Sequence, residues 1–337
     1  MSEYFPELDA EFKKLLKAAK GEKIAVVGHM RPDGDCISSQ FALADILLNA
    51  GAAEAICLNQ NPVPYLYESF AEGRKMLSAE DFCDKTFKIV TVDCADYRRT
   101  NESLCARFPR PLCCIDHHVT NGAYAEINII DVRASATAEL IAGLCSDCKI
   151  KISPENANRL YMGLVMDTRQ FTTSSTRKDT FDIASRLVSE GADCAAIAVK
   201  LYQREKFAKM KLLAAYLQSL TMHFGGRVCI GLLPNGVYEA TGADKEDSDG
   251  LVDFARSVNG VDVAVLLEDL KNGVKGSLRA KTPEYRVDGI AARFGGGGHI
   301  VAAGFTAEGE TINTLYPKLL ELIDEVLQNA DKLKAKI

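Results

Sequence analysis

A chain of 337 residues with 47% hydrophobic side chains exceeds what one small core needs, which predicts two packed units and excludes a disordered tail protein. Lys and Arg number 40 against 46 Asp and Glu, a net charge of −6, so no global positive field exists to hold long nucleic acid and a histone-like or repressor-like role is disfavoured. The longest apolar runs, such as Leu140–Cys145, fall far short of the roughly 18 to 20 residues of a bilayer span, so no membrane helix is expected.

Met1–Lys20 reads as an amphipathic helix without the apolar core of an export signal, and a cytoplasmic location is expected. Lys23–Gly28 is a short β-branched run. A Pro-Asp-Gly-Asp turn follows it, and then Ile37, Phe41, Ala44, Leu47 and Leu48 recur at helical spacing. Ala55–Leu58, Lys88–Val92 and Leu112–Ile115 repeat the short apolar run between polar or helical stretches, as in a parallel sheet covered on both faces. Helical periodicity then dominates from Ala136 to about Glu190. The 11 cysteines are odd in number and scattered, so reduced thiols are expected; Cys145 and Cys148 lack a second pair for zinc, and Cys113 and Cys114 belong to the core.

Lys200–Leu220 carries Leu201, Met210, Leu213, Leu217 and Leu220 on what reads as one long polar connector helix. Beyond Met222 the texture changes. Short β-type runs appear at Val228–Leu233, Val261–Leu267 and Val274–Leu278, followed by the glycines 295 to 298 and an amphipathic helix near Ile312–Leu327, which predicts a smaller α+β unit. Between Lys271 and Arg293 six basic residues face two acids, a local positive excess in an acidic protein.

The residues that carry chemistry sit where predicted strands end. His29, Asp33 and Asp35 lie on the turn after the first run, Asp93 ends the third, and Asp116-His117-His118 ends the fourth, all at the carboxyl edge where open α/β sheets collect ligands. Neighbouring side chains on extended backbone point apart, so one of the two histidines is expected to ligate and the other to face a substrate. Asp167 ends an apolar stretch in which an unpaired carboxylate would be costly. Four carboxylates and two imidazoles without a thiolate favour Mn²⁺, then Mg²⁺ or Fe²⁺, and six ligands suit two ions sharing carboxylates. The side-chain-free glycine run before His299 lets backbone approach a phosphate closely and is expected to form an anion nest.

These motifs, in this order, resemble the DHH phosphoesterases, and Gly295–His299 with Ala302-Ala303-Gly304 resembles the signature of the DHH-associated C-terminal domain. Ser135-Ala-Thr-Ala-Glu139 and the two-domain layout resemble the nano-RNase and pAp-phosphatase group. The resemblance implies a parallel-sheet α/β domain over 1–195, a helical linker over 196–222 and an α+β substrate domain over 223–337, with a cleft between the two domains. It places His29 and Asp33 on one metal, Asp35 and His117 on the other, and Asp93 and Asp167 as bridges, with Asp93 and Asp167 also counted as catalytic. His118 then matches the residue facing the scissile phosphate. Ser277, Arg279, Gly296, Gly297, Gly298 and His299 match substrate-holding positions. Arg169 stands where the group has glycine, and both a phosphate contact and an outward turn remain open for it. The implied activity is Mn²⁺-dependent (two ions, Mg²⁺ as alternative) cleavage of short RNA or DNA oligonucleotides to 5′-mononucleotides, with hydrolysis of pAp beside it. Cyclic or linear dinucleotides are the rival substrates, and a non-catalytic nucleotide-binding module is the rival of another class. A homodimer stays open.

Overall fold

The computed structural model describes residues 3–334, so the expected bounds at residues 1 and 337 lie outside the described residues. The chain divides into two compact units between Arg204 and Glu205, inside the stretch expected as a linker.

The first unit runs α1 (Asp9–Ala19), β1 (Lys23–Val27), α2 (Gly34–Asn49), β2 (Glu54–Asn59), β3 (Met76–Ser78) and β4 (Phe87–Val92). It continues with α3 (Glu102–Arg107), β5 (Cys113–Asp116), β6 (Ile127–Ile130), α4 (Thr137–Asp147), α5 (Pro154–Asp167), α6 (Lys178–Ser189) and α7 (Cys194–Tyr202). Its six strands pair in the order β3-β2-β1-β4-β5-β6, every pair parallel. Residues alternate between faces along a strand. Ile24 and Val26 therefore enter the large core under α1, α2, α4 and α5, while Ala25 and Val27 enter a smaller cluster with Leu104 of α3. All these side chains are buried, which is why β1 reads as a continuous apolar run. Strands β3 and β6 escape the sequence reading because they have only three and four residues and are partly exposed.

Helix α2 starts at Asp33, whose carboxylate accepts the Cys36 N–H at 3.0 Å as an N-cap. Ser153 caps α5, and Pro154 takes its first position, where a missing N–H costs nothing. Where α5 crosses α2 and α4, a Cβ on Gly163 would lie 2.1 Å from Ser38 Oγ and 2.9 Å from Asp35 Oδ1, so only glycine lets the helices close around Asp35. The segment between β2 and β3 is pinned by buried Arg159, which donates to the Phe70 and Glu72 carbonyls and to Asp45 and Glu155.

The second unit runs α8 (Phe207–Gln218), β7 (Thr221–His223), β8 (Val228–Leu233), α9 (Val237–Thr241), α10 (Leu251–Arg256), β9 (Val263–Leu270) and β10 (Gly273–Ala280). Then follow α11 (Val287–Arg293), β11 (Gly297–His299), β12 (Ala302–Glu308) and α12 (Ile312–Lys334). Its mixed sheet has the order β11-β12-β10-β9-β8-β7, with only β8 and β9 parallel. The expected connector helix over Lys200–Leu220 is instead two helices, α7 and α8. The intervening Gln203-Arg204-Glu205-Lys206 offers no apolar side chain to bury, and Gln203 leaves helical geometry. No helix among the described residues is long and apolar enough to cross a membrane. The cysteines are all free, with Cys113, Cys114 and Cys145 buried.

Candidate active site

The ligand-type side chains of the first unit converge at the carboxyl edge of the parallel sheet. His29 follows β1, Asp93 follows β4, and His117 and His118 follow β5, while Asp35 comes from the first turn of α2 and Asp167 is the last residue of α5. His29 Nε2 lies 3.5 Å from Asp93 Oδ2 and 3.9 Å from Asp33 Oδ2. His117 Nε2 lies 3.6 Å from Asp93 Oδ1 and 3.2 Å from Asp167 Oδ2. Three sets have their ligand atoms within 4.8 Å of one another: His29, Cys36 and Asp93; Asp93, His117 and His118; Asp35, His117 and Asp167. Asp93 and His117 each belong to two sets, and Asp33 stands at the rim beside His29.

The surroundings of these groups call for a cation. His29 Nδ1 lies 2.8 Å from the Met30 carbonyl and His117 Nδ1 3.2 Å from the Ala134 carbonyl. A carbonyl only accepts, so each Nδ1 is the donor and each Nε2 is left facing carboxylate oxygens, the arrangement that prepares imidazole for a metal. Burial, and then the neighbouring Asp93, Asp167 and Asp33 charges, push the Asp35 carboxyl well above the usual range, although the Thr137 and Ala138 N–H groups donate to it at 2.6 and 2.9 Å. Asp167 is pushed up to about 7 by burial and then by Asp93. A carboxylate at a helix carboxyl end also meets the negative end of the dipole. Carboxylate and imidazole donors fit divalent ions, so these residues form a candidate divalent-metal site. Cys36 joins one set, a neighbour the sequence reading left out. Burial pushes its thiol up to about 12 and keeps it protonated, so the donor set stays hard.

His117 and His118 do not diverge as extended backbone predicts, because the strand ends at Asp116 and the two rings meet edge to face with centroids 4.7 Å apart. His118 Nδ1 lies 2.7 Å from buried Asp116 Oδ1. Asp116 also accepts the His117 N–H at 2.9 Å and Asn121 Nδ2 at 2.6 Å. Burial alone would raise its carboxyl, but the His118 and Asn121 hydrogen bonds hold it below its usual value. Asp116 and Asn121 thus orient His118, a role the sequence reading did not assign. It also assigned none to Thr137, whose hydroxyl donates to Asp93 Oδ1 at 3.2 Å. Buried Glu139 locks that helix start by accepting from Ser135, Thr180 and Arg177. Arg169 is exposed at φ 46°, and its guanidinium has no partner among the described residues.

In the second unit, register gathers the expected substrate residues into rows. Ser277 and Gly297 both pair with Gly304, and Arg279 and His299 both pair with Ala302. These side chains share one face of β10, β12 and β11, with the small residues Gly304 and Ala302 between them. The opposite face is covered by α11 and α12, whereas α8 and α10 pack on the first face mainly over β8 and β9. The glycine run is not a free anion nest. Gly295 and Gly296 donate their N–H groups to the Ala292 and Ala291 carbonyls, ending α11, and Gly297–His299 is a strand. A Cβ on Gly296 would lie 2.2 Å from the Gly304 oxygen and one on Gly298 2.6 Å from the Ala302 oxygen, whereas Gly297 faces open space. The basic stretch is partly neutralised, since Lys275 pairs with Glu268 and Arg286 with Asp288, each at 2.7 Å.

Residues 23–166 match the DHH family N-terminal domain, and residues 210–329 match the DHHA1 domain. This chain belongs to the DHH family. A bifunctional oligoribonuclease and PAP phosphatase NrnA of Thermus thermophilus is 30% identical over 326 residues, 95% of this chain and 94% of that protein. The NrnA of Bacillus subtilis is 25% identical over 284 residues, covering 82% and 86% of the two chains. The crystal structure of an exopolyphosphatase-related protein from Bacteroides fragilis shares the fold, with a TM-score of 0.83 at 24% identity over 97% of this chain and 98% of that one. Family and cluster together make the chain a metal-dependent hydrolase.

Proposed function

We propose that this enzyme hydrolyses short oligonucleotides to 5′-mononucleotides and removes phosphate from pAp, using two divalent ions, Mn²⁺ foremost. The observation that carries this reading is the convergence of His29, Asp35, Asp93, His117 and Asp167 in three overlapping sets, the ligand atoms of each set lying within 4.8 Å of one another. His29 and Asp33 would hold one ion, Asp35 and His117 the other, with Asp93 and Asp167 shared. Bound ions supply an acidified water and offset charge on the phosphate oxygens. Asp116 holds His118 Nδ1, leaving Nε2 to give a proton to the leaving oxygen or to donate to the developing charge. Ser277, Arg279, Gly297 and His299 line the face where a substrate phosphate and its nucleoside would be held, while Gly296 and Gly298 serve the close approach of β12. The two curated relatives, each matched over most of its length, support this choice of substrate.

A side-by-side assay of pApA, pAp, cyclic di-AMP and a longer oligomer, with chelator-stripped protein resupplied with Mn²⁺, tests it. Turnover highest on pApA and pAp is expected. Preference for the cyclic dinucleotide would replace the substrate, and binding without turnover would make the chain a sensing module.

A further inference from the structure

Arg31 lies between His29 and Asp33 and has no place in the assignments above. Its backbone is left-handed at φ 54°, which a non-glycine residue adopts only when its surroundings impose it. Those surroundings are built from side chains. The Arg31 N–H donates to Asn61 Oδ1 at 2.8 Å, the Asn61 N–H donates to Asn59 Oδ1 at 3.0 Å, and buried Asn59 donates from Nδ2 to the His29 carbonyl at 3.1 Å and to Gln40 Oε1 at 3.3 Å. Gln40 in turn donates to the Val26 and Leu58 carbonyls of β1 and β2, and the neighbouring Met30 N–H donates to the Arg99 carbonyl at 2.7 Å. A relay of amides, half-buried at Asn61 and buried at Asn59 and Gln40, thus ties this loop to the central sheet. What it presents is an exposed guanidinium that forms no ion pair or hydrogen bond among the described residues, although carboxylates stand two and four positions away.

The cluster is open to solvent at three of its members. Asp35, Asp93 and His29 are buried, while the side chains of Asp33, His118 and Asp167 keep 54%, 37% and 29% of their exposure. These three are the solvent-open members of the cluster, and Arg31 is joined to one of them, Asp33, through Pro32. Strain held by a side-chain network anchored in the core, around a charged group without a partner, points to a group reserved for a ligand.

We propose that Arg31 is a catalytic residue which binds the non-bridging oxygens of the reacting phosphate and offsets the charge that grows on them during in-line displacement. Arginine suits this role because its fork donates two parallel hydrogen bonds to a phosphate and stays charged at any working pH. The proposal rests on the phosphoesterase activity but not on the identity of the nucleotide.

The test uses the full chain with saturating Mn²⁺ and bis-p-nitrophenyl phosphate, a diester with a single phosphate. Arg31→Ala should lower kcat roughly 10²-fold, the range for one donor to a developing oxyanion, with the Mn²⁺ concentration for half-maximal rate unchanged. Arg31→Lys should recover part of the loss, and added guanidinium should raise the rate of Arg31→Ala but not of the parent. Asn61→Ala, which keeps the arginine and frees its loop, should fall between them. An unchanged kcat would overturn the proposal, and so would a loss that tracks weakened Mn²⁺ binding without guanidinium rescue, which would make Arg31 a support of the ligand loop. If Arg31→Ala does not fold, Arg31→Lys decides alone: a full parental rate contradicts the bidentate contact. Failure of the nucleotide panel with intact diester turnover would remove the proposed substrate and leave this test standing.

Discussion

The two units build their sites from different materials. In the first, long-range side-chain networks hold charged groups in positions they would not choose alone: Asp93 and Arg31 at positive φ, Asp35 between the ends of two helices, Asp167 at a helix carboxyl end. In the second, backbone register does the placing, and side chains stand in rows on either side of a trough made by Gly304 and Ala302. The contrast teaches that a site can be specified by what surrounds each side chain or by what is left out between strands. Substitutions should therefore damage turnover in one unit and substrate holding in the other.

The largest effect is expected at the heart of the first unit. Asp93→Ala should abolish hydrolysis of every substrate, because Asp93 lies in two of the three ligand sets. His118→Ala should cost less, roughly 10²- to 10⁴-fold in kcat, as for loss of a general acid. The opposite order in two folded variants, compared by single-turnover rates, would reverse the assigned roles. Asp116→Asn should follow, roughly ten- to a hundredfold, since an amide still fills the space but no longer fixes the imidazolium; loss as deep as that of Asp93→Ala would mean that Asp116 supports the fold rather than His118.

Arg279 sharpens the comparison from the other unit. Losing one charge-assisted phosphate contact costs about 1.5 to 3 kcal/mol, roughly ten- to a hundredfold in affinity. Arg279→Ala should accordingly raise KM for pApA while bis-p-nitrophenyl phosphate is turned over nearly as before. Equal losses on both substrates would place Arg279 at the reacting phosphate, the position assigned above to Arg31.

The glycines carry the smallest effects and separate fold from ligand. Gly296→Ala forces a methyl against the Gly304 carbonyl and should cost about 1 to 3 kcal/mol of stability. Gly297→Ala meets open space and should leave stability within about 0.5 kcal/mol. A thermal melt beside a pApA titration reads both, and a rise in KM at Gly297→Ala with unchanged stability would mark it as the glycine that faces substrate. Equal destabilisation of the two variants would contradict the assigned register.

These outcomes also show where sequence reasoning reaches. His29, Asp35, Asp93, His117 and Asp167 were legible because ligand-type residues at the ends of apolar strands and helices have no cheaper explanation. The glycine run was legible as unusual but misread in its cause, since the close passage of β12 is set by tertiary pairing and leaves no local pattern. Asp116, Asn121, Thr137 and the Asn59–Asn61 relay act through partners up to 102 positions distant, as Thr137 does on Asp35, and spacing alone could not connect them. The break between α7 and α8 was hidden for the opposite reason: helical periodicity on either side made four polar residues look like one more turn.

The central claim is that the first unit holds divalent ions through Asp93 and its neighbours, and that hydrolysis depends on them. Chelator-stripped protein should be inactive on pApA, and titration with Mn²⁺ followed by calorimetry should restore turnover as two ions bind per chain, with Asp93→Ala losing both binding and activity. Undiminished hydrolysis by the stripped protein without added metal would contradict the account.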